Sequence, residues 1–185
     1  LIYYDLAMLL IKQAKELYFG DSDLEVELEN NVFAIDATTI DLCLSTFHWV
    51  TFRSTKGGIK LHTQLDLKTA IPEFIYFSTA SVHDVNALDF ICFEANSFYI
   101  MDRGYVDYKR LYNIHCCKAF YITRTKDNMD YRRLYSHTVD KSKGVLCDQT
   151  IMLNGFYAAK KYPEKMRRIK FYDAETGKAL IFLTN

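Results

Sequence analysis

The sequence predicts a mixed α/β fold: a sheet with helices on its faces and a β-rich part appended to it. Three observations carry this. Between residues 32 and 123, short apolar runs and alternating segments come in the order strand, strand, strand, helix, strand, helix, strand. A meander followed by alternating helices and strands builds a mixed sheet flanked by helices. Beyond Lys126 the pattern changes to strand-like pieces separated by polar turns. The composition agrees: 185 residues, 50% hydrophobic, 15% aromatic, with 7 Gly and 2 Pro. That length fits one domain, and the balance excludes a disordered chain, a collagen-like repeat or a small disulfide scaffold.

Each element has its own signal. Residues 1 to 11 are the most hydrophobic stretch, broken by Asp5 and followed by Lys12 and Lys15. They predict a mostly buried helix ended at Gly20, well short of the roughly 20 apolar residues that a membrane span needs. Asp21 to Asn31 carries carboxylates and no basic residue, and reads as a polar connector or a short exposed strand. Val32 to Ile35 predicts a buried strand that delivers Asp36 at or near its end. Residues 47 to 53 are aromatic and β-branched, and Ser54 to Gly58 reads as a turn. Ile59 to Leu67 alternates, with Ile59, Leu61, Thr63, Leu65 and Leu67 on one face; with Ile71 to Phe77 it predicts an antiparallel hairpin with Pro72 at an edge. Ser81 to Phe93 has helical spacing, its stripe being Val85, Leu88, Ile91 and Cys92, and Asp84 suits the first turn. Ser97 to Met101 is a strand running into Asp102, a helix follows from Asp107 to His115, and Ala119 to Thr123 is the next strand. Gly144 to Leu153, Met166 to Tyr172 and Ala179 to Thr184 supply the later strands.

The formal net charge is zero, with Lys+Arg 23 against Asp+Glu 23, but the charges are segregated. Residues 1 to 102 carry 6 basic and 15 acidic side chains, residues 103 to 170 carry 16 and 6, and the last fifteen residues carry 1 and 2. A polyanion would feel the basic half, because clustered Lys and Arg release counterions from phosphates; solvated basic faces explain the same count. The five cysteines, Cys43, Cys92, Cys116, Cys117 and Cys147, form no CxxC pair. They read as reduced core thiols of a cytosolic protein, and neither they nor the five scattered histidines have zinc-ligand spacing.

Asp36 and Asp102 stand out. Each follows a short apolar run, so each is expected at the C-terminal end of a central strand. Were those strands parallel neighbours, about 4.8 Å apart, both carboxylates would emerge on one sheet edge. Paired carboxylates there suit hard divalent cations, and two such ions roughly 3.5 to 4 Å apart can clamp the oxygens of an in-line phosphoryl displacement. Strand-end aspartates also serve as turn and cap residues, and the pattern alone leaves both readings open.

The surrounding strings carry a resemblance. Tyr99-Ile100-Met101-Asp102-Arg103-Gly104-Tyr105 resembles the D-R-G-Y signature around the second catalytic aspartate of IS-four-type insertion-sequence transposases, members of the DDE superfamily. Phe33 to Ile40 resembles their first motif, an apolar strand running into the first aspartate and then small hydroxylated residues. Arg53 to His62 and Val82-His83-Asp84 are similar to other recurrent strings of the family, in the same order. The resemblance implies an RNase H-like mixed sheet with a β-rich insertion subdomain. It divides the chain into an N-terminal helix and acidic connector over 1–31, a partial catalytic core over 32–126, and an insertion with its return strand over 127–185. It further implies catalytic and metal-binding roles for Asp36 and Asp102, with Mg2+ or Mn2+ as cofactor. The substrate would be double-stranded DNA at element ends and targets, the protein a homodimer on DNA, and the location the cytoplasm of a bacterial-type cell at its nucleoid. The family's third acid, in a Tyr-x2-Arg-x3-Glu-x6-Lys helix, does not carry over: only Tyr121 has an arginine three residues on, Arg124, and Asn128 stands at the Glu place. The expectation is a chain that stops before that helix and cannot catalyse transposition alone.

The candidate DNA contacts are Arg103, beside Asp102; Lys56 and Lys60, flanking the Gly57-Gly58 pair; and Lys160, Lys161, Arg167 and Arg168 in the basic run that also includes Lys165 and Lys170. Tyr105 is expected to pack under the turn that Gly104 permits, and His62 and His83 to be hydrogen-bonded structural residues rather than ligands. Rival readings are a non-catalytic DNA-binding remnant or repurposed domain, and another RNase H-like nuclease.

Overall fold

The structure, a computed structural model, describes residues 2–18, 28–42, 57–125 and 128–185. Gly20, the acidic run from Asp21 to Glu27, Cys43, the 47–53 stretch and Lys56 lie outside the described residues. The chain divides into two units, Leu1–Ile91 and Cys92–Asn185.

The first unit contains helix α1 (Ile2–Leu17) and an antiparallel meander of β1 (Val32–Leu42), β2 (Gly57–Asp66) and β3 (Pro72–Thr79), in the order β3-β2-β1. A 3-10 turn over Asp84–Phe90 follows where an α-helix was expected; it buries Ala87 and Leu88. The β2–β3 hairpin is as predicted. Asp66 closes it by accepting hydrogen bonds from the Lys68 N–H at 2.9 Å and the Thr69 hydroxyl at 3.1 Å, and Pro72 takes the first position of β3, where no ladder donor is needed.

Three expectations are corrected here. No residue of α1 is buried; Leu6, Leu9 and Leu10 are about half exposed, and a side-chain ion pair from Lys15 to Glu73 links the helix to β3. Gly57-Gly58 is not a turn but the start of β2, opposite Leu42 and Asp41. A Cβ at Gly58 would meet the Ala80 Cβ at 3.0 Å, so the glycine permits a close approach. In β2, the face bearing His62 and Gln64 is buried and the alternating apolar face is only half-buried. Polar residues take the inner face because partners are available there: His62 Nε2 shares a hydrogen bond with the Ser78 hydroxyl at 2.8 Å.

In the second unit, β4 (Phe98–Met101), helix α2 (Tyr108–Cys116) and β5 (Phe120–Arg124) form a parallel strand–helix–strand unit. Asp107 caps α2 by accepting from the Arg110 N–H at 3.1 Å. Strands β6 (Tyr131–His137), β7 (Val145–Leu153), β8 (Met166–Asp173) and β9 (Lys178–Thr184) follow, with a short helix α3 (Phe156–Lys161) between β7 and β8. The order is β4-β5-β9-β8-β7-β6, antiparallel beyond β5. The β-rich character expected after Lys126 is present; β6 and α3 were not foreseen.

Tyr99, Tyr121, Leu111, Ile114, Tyr162 and Leu183 are wholly buried. Tyr162 meets Tyr112, His115 and Tyr121 edge to face at centroid distances of 5.4, 5.7 and 6.3 Å, and its hydroxyl lies 2.8 Å from His115 Nδ1. Burial pushes the Tyr162 phenol up to about 12. The Asn185 side chain extends the β5–β9 ladder: its Oδ1 accepts from the Tyr121 N–H at 3.0 Å and its Nδ2 donates to the Ala119 carbonyl at 2.8 Å. Among the described residues the thiols are not core groups: Cys92, Cys116 and Cys117 are exposed and Cys147 is half-buried, all free of disulfides.

The Arg167 guanidinium is bidentate to Asp148, at 2.9 and 2.6 Å, and ties β8 to β7. These hydrogen bonds hold the Asp148 carboxyl below its ordinary range, against the partial burial that pushes it up. Arg167→Met should therefore destabilise the protein by about 1 to 3 kcal/mol at neutral pH, read as a lower urea midpoint. A carboxyl depressed by folding stabilises above its unfolded value and loses that contribution as the pH falls through its folded value. The difference between wild type and variant should accordingly shrink on acidification below about pH 4; a difference independent of pH would refute this role.

Candidate active site

Asp102 stands where the sequence places it, directly after β4. Its backbone is extended (φ −68°, ψ 164°), and its side chain caps the 3-10 turn Arg103–Tyr105 by accepting from the Gly104 N–H at 3.2 Å. Its own carbonyl accepts from the buried Thr123 hydroxyl at 3.1 Å, which ties the end of β4 to β5. Tyr105 is buried beneath the turn, as expected. The Asp102 carboxylate remains 54% exposed, and Arg124 Nη2 lies 3.9 Å from its Oδ2.

Strand pairing explains this neighbourhood. Met101 is opposite Thr123 in the parallel β4–β5 pair, so the next residues, Asp102 and Arg124, turn to the other side together. Arg124 is opposite Phe182 on β9; Phe182 is opposite Ile169 and Thr184 opposite Arg167 on β8. Asp102, Arg124 and Arg167 thus share one face of this sheet. Arg168, opposite Leu183, projects to the other face, where it donates to Gln149 Oε1 at 3.2 Å and stacks over the Tyr131 ring at 5.2 Å. Lys160 and Lys161 are exposed at the end of α3, which the Tyr162 contacts place on the Tyr121 side, also away from Asp102. The basic run is therefore split by the sheet, and Arg167 is its member on the Asp102 face.

A cavity of about 170 Å³ adjoins Asp102, lined by Arg103, Arg124, Thr125, Ala179, Leu180 and Ile181. Arg124 was not singled out from the sequence as a site residue, although a usable signal existed. It ends the Ala119–Thr123 run just as Asp102 ends β4, and the strand-end rule applied to one applies to the other.

The other candidates lie in the first unit. Asp36 is not at a strand end: β1 continues six residues past it, to Leu42, because Ala37 to Leu42 pair with His62 back to Gly57. Its side chain is exposed, opposite Thr63. Lys60 is 14% exposed; its ammonium donates to the Val82 carbonyl at 2.8 Å and pairs with Asp84 at 2.8 Å. It clamps the 3-10 turn onto β2 rather than reaching outward. His62 is buried and structural, as expected; burial lowers its pKa, Asp84 opposes that shift and Lys60 adds to it. His83 precedes the 3-10 turn as its cap residue and gives it no side-chain bond. Among the described residues, no group of three or more His, Cys, Asp or Glu side chains is gathered as a metal cluster, and no helix is long and apolar enough to cross a membrane.

Against this geometry, a family model described as "Transposase DDE domain" matches residues 27–180. The protein named "Putative transposase y4zB" from Sinorhizobium fredii (strain NBRC 101917 / NGR234) is 29% identical over 175 residues, which cover 91% of this chain and 48% of that protein. The chain spans about half the length of this curated relative. Among solved structures, a piggyBac transposase synaptic complex with hairpin DNA overlays 83% of this chain and 32% of that one, at a TM-score of 0.45 and 12% identity. An Endonuclease V from Bacillus subtilis overlays 98% and 73%, at a TM-score of 0.34 and 12% identity. At such scores neither overlay bears on function.

The Lys60 geometry has a direct test. Lys60→Met should cost about 1 to 3 kcal/mol, by removing a charged hydrogen bond to Val82 and an ion pair with Asp84, and should leave duplex DNA affinity unchanged within twofold. Urea unfolding and fluorescence anisotropy read the two effects separately. Unaltered stability with weakened binding would make Lys60 a phosphate contact after all.

Proposed function

This chain belongs to the transposase DDE domain family, and from that premise we propose that it is a catalytic-domain piece of a DNA transposase. The reaction is hydrolysis of a phosphodiester at the end of a mobile element, followed by attack of the freed 3′-hydroxyl on target DNA. The observation that carries this reading is the Asp102 carboxylate: strand-end, solvent-facing and flanked by Arg103 and Arg124, inside the matched region. The proposal includes an RNase H-like core over 32–126 with an insertion over 127–185, double-stranded DNA as substrate, a homodimer on that DNA, and action at the nucleoid.

The residues present suit a divalent ion. Asp102 is half exposed, uses one oxygen to cap the following turn, and has its other oxygen outside hydrogen-bond reach of Arg124; Asp36 is exposed on β1. Oxygen donors without His or Cys suit Mg2+ or Mn2+, and the family resemblance assigns ligand roles to Asp36 and to Asp102. When bound, such an ion would supply charge stabilisation at the phosphoryl oxygens. The chain's own contribution is positional and electrostatic. Gly104 fixes the direction of the Asp102 carboxylate and Thr123 holds its backbone, and Arg103 and Arg124 bring positive charge to the cavity beside it, where a phosphodiester is attracted and oriented.

Loss of an outer-shell partner at a metal site costs about 10- to 100-fold in affinity or activity, so loss of the ligand itself should cost at least that. In the complete polypeptide, Asp102→Asn and Asp36→Asn should each lower Mg2+-dependent end cleavage by about 100-fold or more while retaining DNA binding. Cleavage on denaturing gels and anisotropy on the same duplex report the two. Undiminished cleavage by Asp102→Asn would refute its role, and wild-type protein that binds DNA but never cuts it would favour the non-catalytic remnant.

A further inference from the structure

We infer that Arg103 and Arg124 form a phosphate-binding pocket beside Asp102, seating a backbone phosphate of the DNA strand next to the one that reacts. This rests on the transposase reading and assigns a role to Arg124.

The pocket lies entirely within the second unit and combines three features. Arg103, in the turn after β4, and Arg124, at the end of β5, line one cavity together with Thr125. The rest of the lining is Ala179, Leu180 and Ile181 of β9, the strand that pairs with β5. The Arg124 guanidinium is 47% exposed, and at 3.9 Å its approach to Asp102 is too long for a hydrogen bond. Among the described residues its side chain donates no hydrogen bond, so the planar fork that fits two phosphate oxygens is available. The contrast with Arg167, on the same face, is direct: its Nε and Nη2 are both engaged by Asp148.

Asp102 gives the site a distinctive sign. Without a cation, its carboxylate both attracts Arg124 and repels a phosphate seated there. Removing its charge should tighten DNA binding, and the tightening should require Arg124.

The test is fluorescence anisotropy of a labelled duplex in EDTA over a salt series, with wild type, Arg124→Ala, Arg124→Lys, Arg168→Ala, Asp102→Asn and the double variant Asp102→Asn/Arg124→Ala. Arg124→Ala should weaken binding severalfold and make the slope of log K against log salt shallower by about 1, the loss of one phosphate contact. Arg124→Lys, keeping the charge, should keep the slope and guards against a folding artefact. Arg168→Ala, on the other face, should keep both slope and affinity. Asp102→Asn should bind more tightly than wild type, and the double variant should lose that gain, as a coupled pair does. A wild type that binds and cuts DNA while Arg124→Ala keeps its slope would overturn the pocket alone. A wild type that binds no duplex at any salt would overturn the pocket and the transposase reading together.

Discussion

The parallel pairing of β4 with β5 is the constraint on which the second unit depends. A parallel pair needs a crossover, which α2 supplies, and that helix is held by wholly buried Leu111 and Ile114. The register then aligns Tyr99 with Tyr121 and Met101 with Thr123 on the inner face. Once these are packed, the following residues have no freedom of side: Asp102 and Arg124 must emerge together on the outer face. The Thr123 hydroxyl, bonded to the Asp102 carbonyl, fastens the two strand ends at the point where they would otherwise splay. A one-residue slip would exchange the tyrosines for the charged pair, an exchange that desolvation forbids.

Much of this was legible in sequence. The strand before Asp102, the helix after it and the three later strands all announce themselves through period and turn chemistry, and the structure matches them closely. The failures share a cause: periodicity reports which residues are apolar, not which groups find partners. In β2 the buried face is the one with His62 and Gln64, and Lys60 on that face is satisfied by Val82 and Asp84, partners more than twenty residues away in the chain. No local pattern announces them. Gly57 and Gly58 look like a turn because glycine usually marks one, whereas here a tertiary neighbour, Ala80, excludes a Cβ. In α1 a hydrophobic run implied burial, yet its leucines remain largely exposed.

Charge followed the same logic. The count by segment correctly located an excess of basic residues after Asp102, but a run in sequence is not a patch in space. Adjacent residues of a strand face opposite sides, so Arg167 and Arg168 are separated by the full thickness of the sheet, and Lys160 and Lys161 are carried off on a helix packed against one side. What remains on the Asp102 face is assembled from three strands that are distant in sequence.

Two carboxylate–arginine pairs on that face show how geometry separates a fastening from a site. Asp148 is buried, bonded through both oxygens at hydrogen-bond distance, with its proton affinity lowered accordingly; this pair serves to hold β7 to β8. Asp102 and Arg124 are each about half exposed and stand 3.9 Å apart, so solvent screens their attraction and little stability is gained from it. The Thr123 hydroxyl holds the Asp102 backbone and the Gly104 N–H holds one carboxylate oxygen, so the position of Asp102 is set by these neighbours rather than by its arginine, whereas Asp148 is placed by the arginine itself.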